Sequence, residues 1–475
     1  MNDNEARGGW AAVVVLAGGL FAAVVSTTVV SVALPTIGRE MRAGSAALAW
    51  IVDAYVLVYA GLLVAGGVLG DRYGRKGLFL AGVTLFGVGA LITALAPTLP
   101  VLLAGRVVQG LGPALLVPGS LTIIRATFTD PKRRAAAIGL WSTSSGLALA
   151  VGPALGGVIV NGIGWRWVFG VNVPFCAVLI IAAVRFVPAV PGSGARGRFD
   201  WPGAVLTTLA VAGLAFAVIE GPDLGWTSAA ILGTFGGGLV ALALFVWWER
   251  RVARPLVDLS LFGRRRFVVA NVAALVVFFA FVGSIVYFST YFQDVQGHSP
   301  TMAGLDVSAI GVAFALAAPV SGRLVGRIGA FWPMLAGLTL GGAATLGLLR
   351  LTPGTGMGAI WWDFALVGAG IGLCLTPMTA TAVSAVDSSQ AGLASAVHNA
   401  LRQFGQVLGV AVLGVLVYAG LPSGGGQRLD HARSLLFVDG LHGSIWVSGI
   451  ALLAAAALVA LLAPARSDAG ASGGG

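Results

Sequence analysis

Fourteen apolar runs, each long enough to cross a lipid bilayer, leave this chain little choice of fold. They lie at roughly 10–34, 47–69, 78–96, 99–122, 135–160, 167–187, 202–219, 228–248, 267–290, 303–325, 331–350, 358–383, 393–419 and 442–463. About 20 helical residues cross the hydrocarbon core, and peptide groups in lipid must find their hydrogen bonds within the spanning structure. The runs are too long and too evenly apolar for alternating barrel strands, so each predicts a transmembrane helix. Hydrophobic residues make up 57% of the 475 and charged residues only 10%, whereas soluble domains carry about a quarter. Several water-soluble globules cannot be covered with so little charge.

The formal net charge of +10 first suggests nucleic acid. The basic residues instead sit in short clusters between apolar runs, with no basic face interleaved with aromatics, and no nucleic-acid partner is expected. Counted by loop, twenty Lys and Arg fall on one side of the predicted membrane and six on the other; Arg106 and Arg402 lie within spans. The positive-inside rule then places both termini in the cytoplasm. The polar segment Met1–Gly9 leads into a long apolar run without a small-residue cleavage site, which reads as a retained first helix. Cys176 and Cys374, the only cysteines, lie inside apolar runs, which excludes a disulfide framework or a CxxC metal site. Residues 466–475, within the Ala/Gly/Ser-rich stretch that begins at Pro464, have the composition of a disordered tail, and Leu421–Leu441 reads as the longest outward loop. Trp10, Trp50, Trp201, Trp226, Trp247 and Trp248, near span ends, read as interfacial anchors.

The chain repeats itself. Gly67-x-Leu69-x-x-Arg72-x-Gly74 follows the second span, and Gly322-x-Leu324-x-x-Arg327-x-Gly329 closes the tenth, 255 residues later; Gly326 stands where the first copy has Asp71. Two related helical halves are a common transporter plan, with the substrate held between them at mid-membrane. Three further patterns carry chemistry. Asp71 among Arg72, Arg75 and Lys76 can form charge-assisted bonds that latch the halves, while Gly67 and Gly74 permit a tight turn. Leu102-x-x-x-Arg106-x-x-Gln109-Gly110 places a guanidinium about two turns inside the fourth span, where a charge needs a partner or a cavity. Gly152-Pro153-x-x-Gly156-Gly157, with Ala148 leading it, describes a bendable helix closely approached by its neighbours.

The first of these resembles the loop between helices two and three of the major facilitator superfamily, the second its fourth-helix motif, and the third the fifth-helix motif of its antiporters. Val32-Ala33-Leu34-Pro35, Trp165–Phe169 running to Pro174, Phe199–Gly203, Tyr291–Gln293 with Gly297–Pro300, and Gly392–Ala411 complete an ordered set. Together they resemble the fourteen-helix drug/proton antiporter family. The resemblance implies an all-α membrane protein with two six-helix bundles (1–198 and 251–465) and a central pair of extra helices (199–250). It also implies rocking between inward- and outward-open states driven by protons, with a small amphipathic compound as cargo.

Few residues are placed to carry the proton. Asp53 is the acid most clearly inside a span; an isolated carboxylate there is costly as an anion, and Arg106, at comparable depth, is its expected counter-ion. Snorkelling to the interface is the alternative for both. Many relatives carry an Asp in the first helix before Thr-Thr, but this chain has Ser26-Thr27-Thr28, with Ser31 where Asn is common. Ser26 and Gln109 join Asp53 and Arg106 as candidate cavity residues, and Asp53 takes over the anionic role one helix along. His398, with Asn399 and Arg402 after it, titrates in the useful range when free; packing is the commoner use of a lone His. Asp306 is a weaker candidate of the same kind. Glu220, Asp223, Asp294 and Asp363 read as loop or interface residues.

The resulting expectation is a monomeric, proton-coupled exporter in a bacterial inner membrane, in contact with lipid, its small-molecule substrate and protons. A proton-coupled importer of a polar nutrient and a non-transporting sensor or scaffold stay open as alternatives. No Gly-x-x-x-x-Gly-Lys-Ser/Thr loop and no His/Cys metal spacing occurs, so no enzyme, cofactor or metal is expected.

Overall fold

A computed structural model describes residues 3–190, 200–252, 255, 257–386, 391–421 and 430–461; the side chains of residues 3–7, 71, 131, 132, 135, 391 and 392 are outside that description. Among the described residues there are fourteen candidate membrane spans and no strand. Five single helices lead: α1 (Asp3–Met41), α2 (Ser45–Tyr73), α3 (Arg75–Ala94), α4 (Leu99–Thr127) and α5 (Pro131–Ile163). The sixth span is broken at Val171 into α6 (Arg166–Gly170) and α7 (Asn172–Phe186). Then come α8 (Trp201–Leu224) and α9 (Ala229–Glu249). The last six spans are α10 (Arg265–Thr290), α11 (Pro300–Ile328), α12 (Phe331–Gly347), α13 (Met357–Ser384), α14 (Ala391–Tyr418) and α15 (His431–Leu461).

Helix starts explain several of the short family-like stretches. Asp200 caps α8 by accepting from Gly203 N at 3.0 Å, with Pro202 in the first turn; Ser299 caps α11 through Met302 N at 3.3 Å, with Pro300 there. Both are helix-entry signals, in which a side-chain oxygen takes an orphan N–H and Pro occupies a site needing no donor. The Trp165–Phe169 stretch holds an end of α1, since Trp165 Nε1 and Arg166 Nη1 both donate to Glu40 at 2.5 Å. Gly74 and Gly329, the closing glycines of the two repeat copies, sit at the C-termini of α2 and α11 with φ of 94° and 78°. Only glycine adopts that backbone without strain.

Two boundaries differ from expectation. The Leu421–Leu441 segment is not all loop, because α15 begins at His431, where Asp430 accepts from Arg433 N at 2.8 Å. Hydropathy misses this polar first turn because the helix outruns the apolar stretch. The first helix likewise extends to Met41, past the apolar run. The Ala/Gly/Ser-rich tail lies outside the described residues.

Two bundles result, α1–α7 and α10–α15. The pair α8–α9 packs on itself and, through α8, on both α2 and α14. The bundles meet along α5 with α11 and α2 with α14, and more lightly along α1 with α10. At the end where α1 finishes the seam is sealed. Gln293, in a π-helical turn that prolongs α10 (Tyr291–Val295), donates to Val32 O at 3.0 Å, and Thr301 Oγ1 donates to Gly157 O at 3.1 Å. Arg39 Nη1 lies 2.9 Å from Asp294 Oδ1, two residues that are themselves 255 apart. That is the repeat offset, so the pair joins equivalent positions of the two halves. Toward the other end α5 and α11 part company: among the described residues nothing lies within 4 Å of a Cβ placed at Gly139, Gly146 or Gly326.

Asp294→Arg puts like charges across the sealed end. It should raise maleimide labelling of a cysteine placed at buried Ser289 by about tenfold, a ΔΔG near 1.4 kcal/mol, and Arg39→Asp in the same chain should reverse the gain. Labelling unchanged by the single substitution would remove this pair from the seal.

Candidate functional site

The intramembrane charges differ in how far their polar atoms are engaged. Arg106 makes three hydrogen bonds, although its Nη2 is buried with no partner among the described residues. It is fully buried and joins three helices: Nε donates to Ile51 O at 2.8 Å, and Nη1 to Gln109 Oε1 at 2.8 Å and Ser26 Oγ at 3.3 Å. Gln109 Nε2 also donates to Ser26 at 3.1 Å, and the guanidinium lies over the rings of Tyr55 (4.5 Å) and Phe169 (5.6 Å). Four elements, α1, α2, α4 and α6, therefore converge on one cation inside the first bundle. Ser26 serves that cation.

Asp53 is not Arg106's partner, contrary to the expected ion pair. Its side chain is fully buried, and neither carboxylate oxygen has a hydrogen-bond partner among the described residues. The reason is helix geometry: Arg106 takes the Ile51 carbonyl and the Tyr55 ring from one side of α2, while Asp53 is two residues from each and so projects elsewhere. It lies toward the seam, where Tyr287 of α10 feels its charge. Tyr287 in turn donates to Val410 O of α14 at 2.5 Å. The acid is thus at the meeting of α2 with the second bundle.

His398 is a satisfied interior residue of the second bundle. Nδ1 lies 3.1 Å from Asn271 Oδ1 and Nε2 3.2 Å from Thr379 Oγ1, which uses both ring nitrogens. Asn399 donates to Ser395 O and accepts from Arg402 Nη1 at 3.2 Å. Asp306 pairs with His298 at 2.8 Å near the sealed end, and Asp363, fully buried in α13, pairs with Arg350. Glu220 accepts from Trp50 Nε1 at 2.8 Å, tying α8 to α2.

The fifth-helix motif has a definite job. A Cβ at Gly152 would lie 2.0 Å from Thr28 Oγ1, one at Gly156 2.6 Å from Val29 O, and one at Gly157 2.3 Å from Pro300 O. The first two let α5 press against α1, and the third lets it press against α11 of the other bundle. Pro153, which has no N–H to give, lies between them, and the next amide, Ala154 N, donates across the seam to Ser308 Oγ at 3.1 Å. Of the loop motif, Gly67, Gly74, Arg72 and Arg75 are placed at the end of α2 and the start of α3; the Asp71 side chain lies outside the described residues. Arg75 N bonds Val190 O at 3.3 Å and Lys76 Nζ bonds Val184 O at 2.9 Å, both within the first bundle.

Residue type and depth alone pass over the partners across the seam, Tyr59 and Tyr287, and give Arg402 no role of its own. A signal exists in α14: Asn399, Arg402, Gln403 and Gln406 recur at three- and four-residue spacing, a polar stripe on an otherwise apolar helix.

Two helical bundles clasped at one end of their seam and parted at the other, with charged groups held at mid-membrane, make a membrane transporter of the alternating-access type. The profile of the Major Facilitator Superfamily matches residues 16–410, and the chain belongs to that superfamily. It is 38% identical over 416 residues to multidrug resistance protein Stp of Mycobacterium tuberculosis, covering 87% of this chain and 77% of that one. It is 35% identical over 423 residues to the methylenomycin A resistance protein of Streptomyces coelicolor, covering 89% and 87%. Among solved structures, a POT family transporter in complex with 5-aminolevulinic acid superposes with TM-score 0.70 at 15% identity, covering 95% and 96%. A bacterial homolog of the human lysosomal transporter Spinster, inward-facing and unoccupied, superposes at 0.66 and 18% identity, covering 97% of each chain. These two likenesses are of fold.

Gly157→Val forces a side chain against the Pro300 carbonyl and should cost about 1–3 kcal/mol, as overpacking does, seen as a lower melting temperature in detergent. Gly146→Ala, on the open part of the same helix, should leave the melt unchanged. Equal melts for both would show that the α5–α11 contact does not hold the bundles.

Proposed function

We propose that this chain exports small amphipathic organic compounds across the cytoplasmic membrane of a bacterium in exchange for protons, and that Asp53 carries the proton. The observation that carries the reading is the Asp53 carboxyl itself, buried at the seam with no hydrogen-bond partner for either oxygen among the described residues. An anion there has nothing to offset the loss of its hydration. Release of the proton therefore has to go together with a change of surroundings, and at the seam the change available is the swing of one bundle against the other. A ligand or proton shifts such an equilibrium only by its differential affinity for the two states, and a group at the seam has different neighbours in each.

The direction of transport is supported by relatives named for multidrug and methylenomycin A resistance and by the glycine-proline segment of α5. In this reading the basic loops face the cytoplasm and both termini lie there. The parted end of α5 and α11 is the cytoplasmic mouth. Gly67, Asp71, Arg72, Gly74 and Arg75 latch that mouth when the transporter turns outward. The working divisions are 1–198, 199–250 and 251–465, and one chain suffices for transport.

Inverted membrane vesicles containing the protein should accumulate an amphipathic dye only when their lumen is acidified. Asp53→Asn, at equal expression, should reduce this gradient-driven accumulation to background. Accumulation that survives collapse of the gradient would refute proton coupling, and wild-type behaviour of the Asn variant would remove Asp53 from it.

A further inference from the structure

Arg402 is the second arginine placed within a span, and it makes fewer hydrogen bonds than Arg106. It stands eleven residues into α14, roughly 16 Å from the helix start at 1.5 Å per residue, so it is near mid-membrane. Its Nη1 donates to Asn399 Oδ1 at 3.2 Å, while Nε is buried with no partner among the described residues. No carboxylate lies within 4.0 Å of it among the described residues. The guanidinium stacks over Phe278 of α10 at 4.2 Å and feels the Tyr59 phenol of α2, in the other bundle. Unlike Arg106 it is only partly buried. It is thus a cation deep in the bundle whose side chain keeps some accessible surface. Nearby on the same helix Gln403 and Gln406 are buried and bonded to each other at 2.5 Å, and Gln406 Oε1 has no donor among the described residues.

An arginine without an acid at this depth is costly unless something else supplies the negative charge. Guanidinium is suited to an oxyanion, which it meets with paired, directed donors, while the adjoining aromatic ring receives an apolar body. Ser26 of α1 supplies no anion that would select cations, and its hydroxyl accepts from Arg106. We propose that Arg402 anchors the oxyanion of the exported compound, so that the substrates are amphipathic organic acids, held between Arg402 with Phe278 on one bundle and Tyr59 on the other. This rests on the export reading and adds its substrate class. A ligand that touches both bundles also gives a reason for its binding to affect their swing.

The test is a matched pair of probes, dansylglycine and its uncharged methyl ester, bound to the purified full chain in detergent and read by dansyl fluorescence. Wild type should bind the acid about tenfold tighter than the ester, a difference of about 1.4 kcal/mol. Arg402→Gln should erase the preference, and Arg402→Lys, which keeps the charge and loses the fork, should restore part of it. Equal binding of acid and ester by wild type, or a preference that persists in Arg402→Gln with an unchanged melting temperature, overturns the proposal. An Arg402-dependent preference without gradient-driven accumulation in vesicles would uphold the anchor and refute export. Accumulation of dyes without any acid preference would do the reverse.

Discussion

Backbone meets backbone where α5 crosses α11, and much else follows from that contact. Gly157 faces the Pro300 carbonyl with no room for a side chain, and Ala154 N bonds Ser308 across the same line. Helices in lipid gain little from burying apolar surface, since the surrounding chains are as apolar as they are; close packing and interhelical hydrogen bonds have to hold them. The contact concentrates both at one end of the seam. With that end closed, the other stands open, where Gly139, Gly146 and Gly326 have no neighbour within 4 Å of an added Cβ among the described residues. Arg39 and Asp294 strengthen the same end, and their equivalence under the repeat is informative. A residue and its repeat mate meet only near the pseudo-symmetry axis. Identical charges there would repel, whereas Arg39 and Asp294 carry opposite ones and form an ion pair.

The architecture was almost wholly legible in the residues. Length and hydropathy find a transmembrane helix because lipid demands both, and the fourteen spans of the structure are those of the sequence. Orientation of the motifs came through as well: Gly74 and Gly329 both prove to be positive-φ turns. What hydropathy cannot see is a polar turn capped by its own side chain, as at Asp430 before α15, or a break such as Val171 that leaves the apolar pattern intact.

The site was less legible, for a reason visible at Asp53 and Arg106. Depth in the membrane can be counted along a helix, and the two residues are at similar depth. Which way each projects depends on helix rotation and on which neighbour has room. Helices that are apolar nearly all round have no polar face to reveal that rotation. Hence the expected pair was not formed: Arg106 found a main-chain carbonyl, a Gln and a Ser in its own bundle. His398 likewise read as a candidate by type, yet Asn271 and Thr379 occupy both its nitrogens. Type and depth nominate residues; satisfaction separates them.

The repeat sharpens that separation. Ser308 stands 255 residues after Asp53, at the same place in α11 that Asp53 holds in α2. Ser308 sits on the seam of α11 with α5, bonded to Ala154 N, and Asp53 lies toward the second bundle, close enough to Tyr287 of α10 to act on it electrostatically. Ser308 is fully used: it donates to Gly304 O at 2.7 Å and accepts from Ala154 N. Its mate has the same frame, a charge-bearing group instead of a hydroxyl, and no partner at all among the described residues. Two seams built alike would leave no reason for one to hold an unsatisfied acid, because a serine or an apolar residue would serve packing better and at lower cost. The asymmetry sets the two seams apart: where α5 meets α11 the hydroxyl of Ser308 is satisfied, whereas the carboxyl of Asp53 is left without a partner among the described residues.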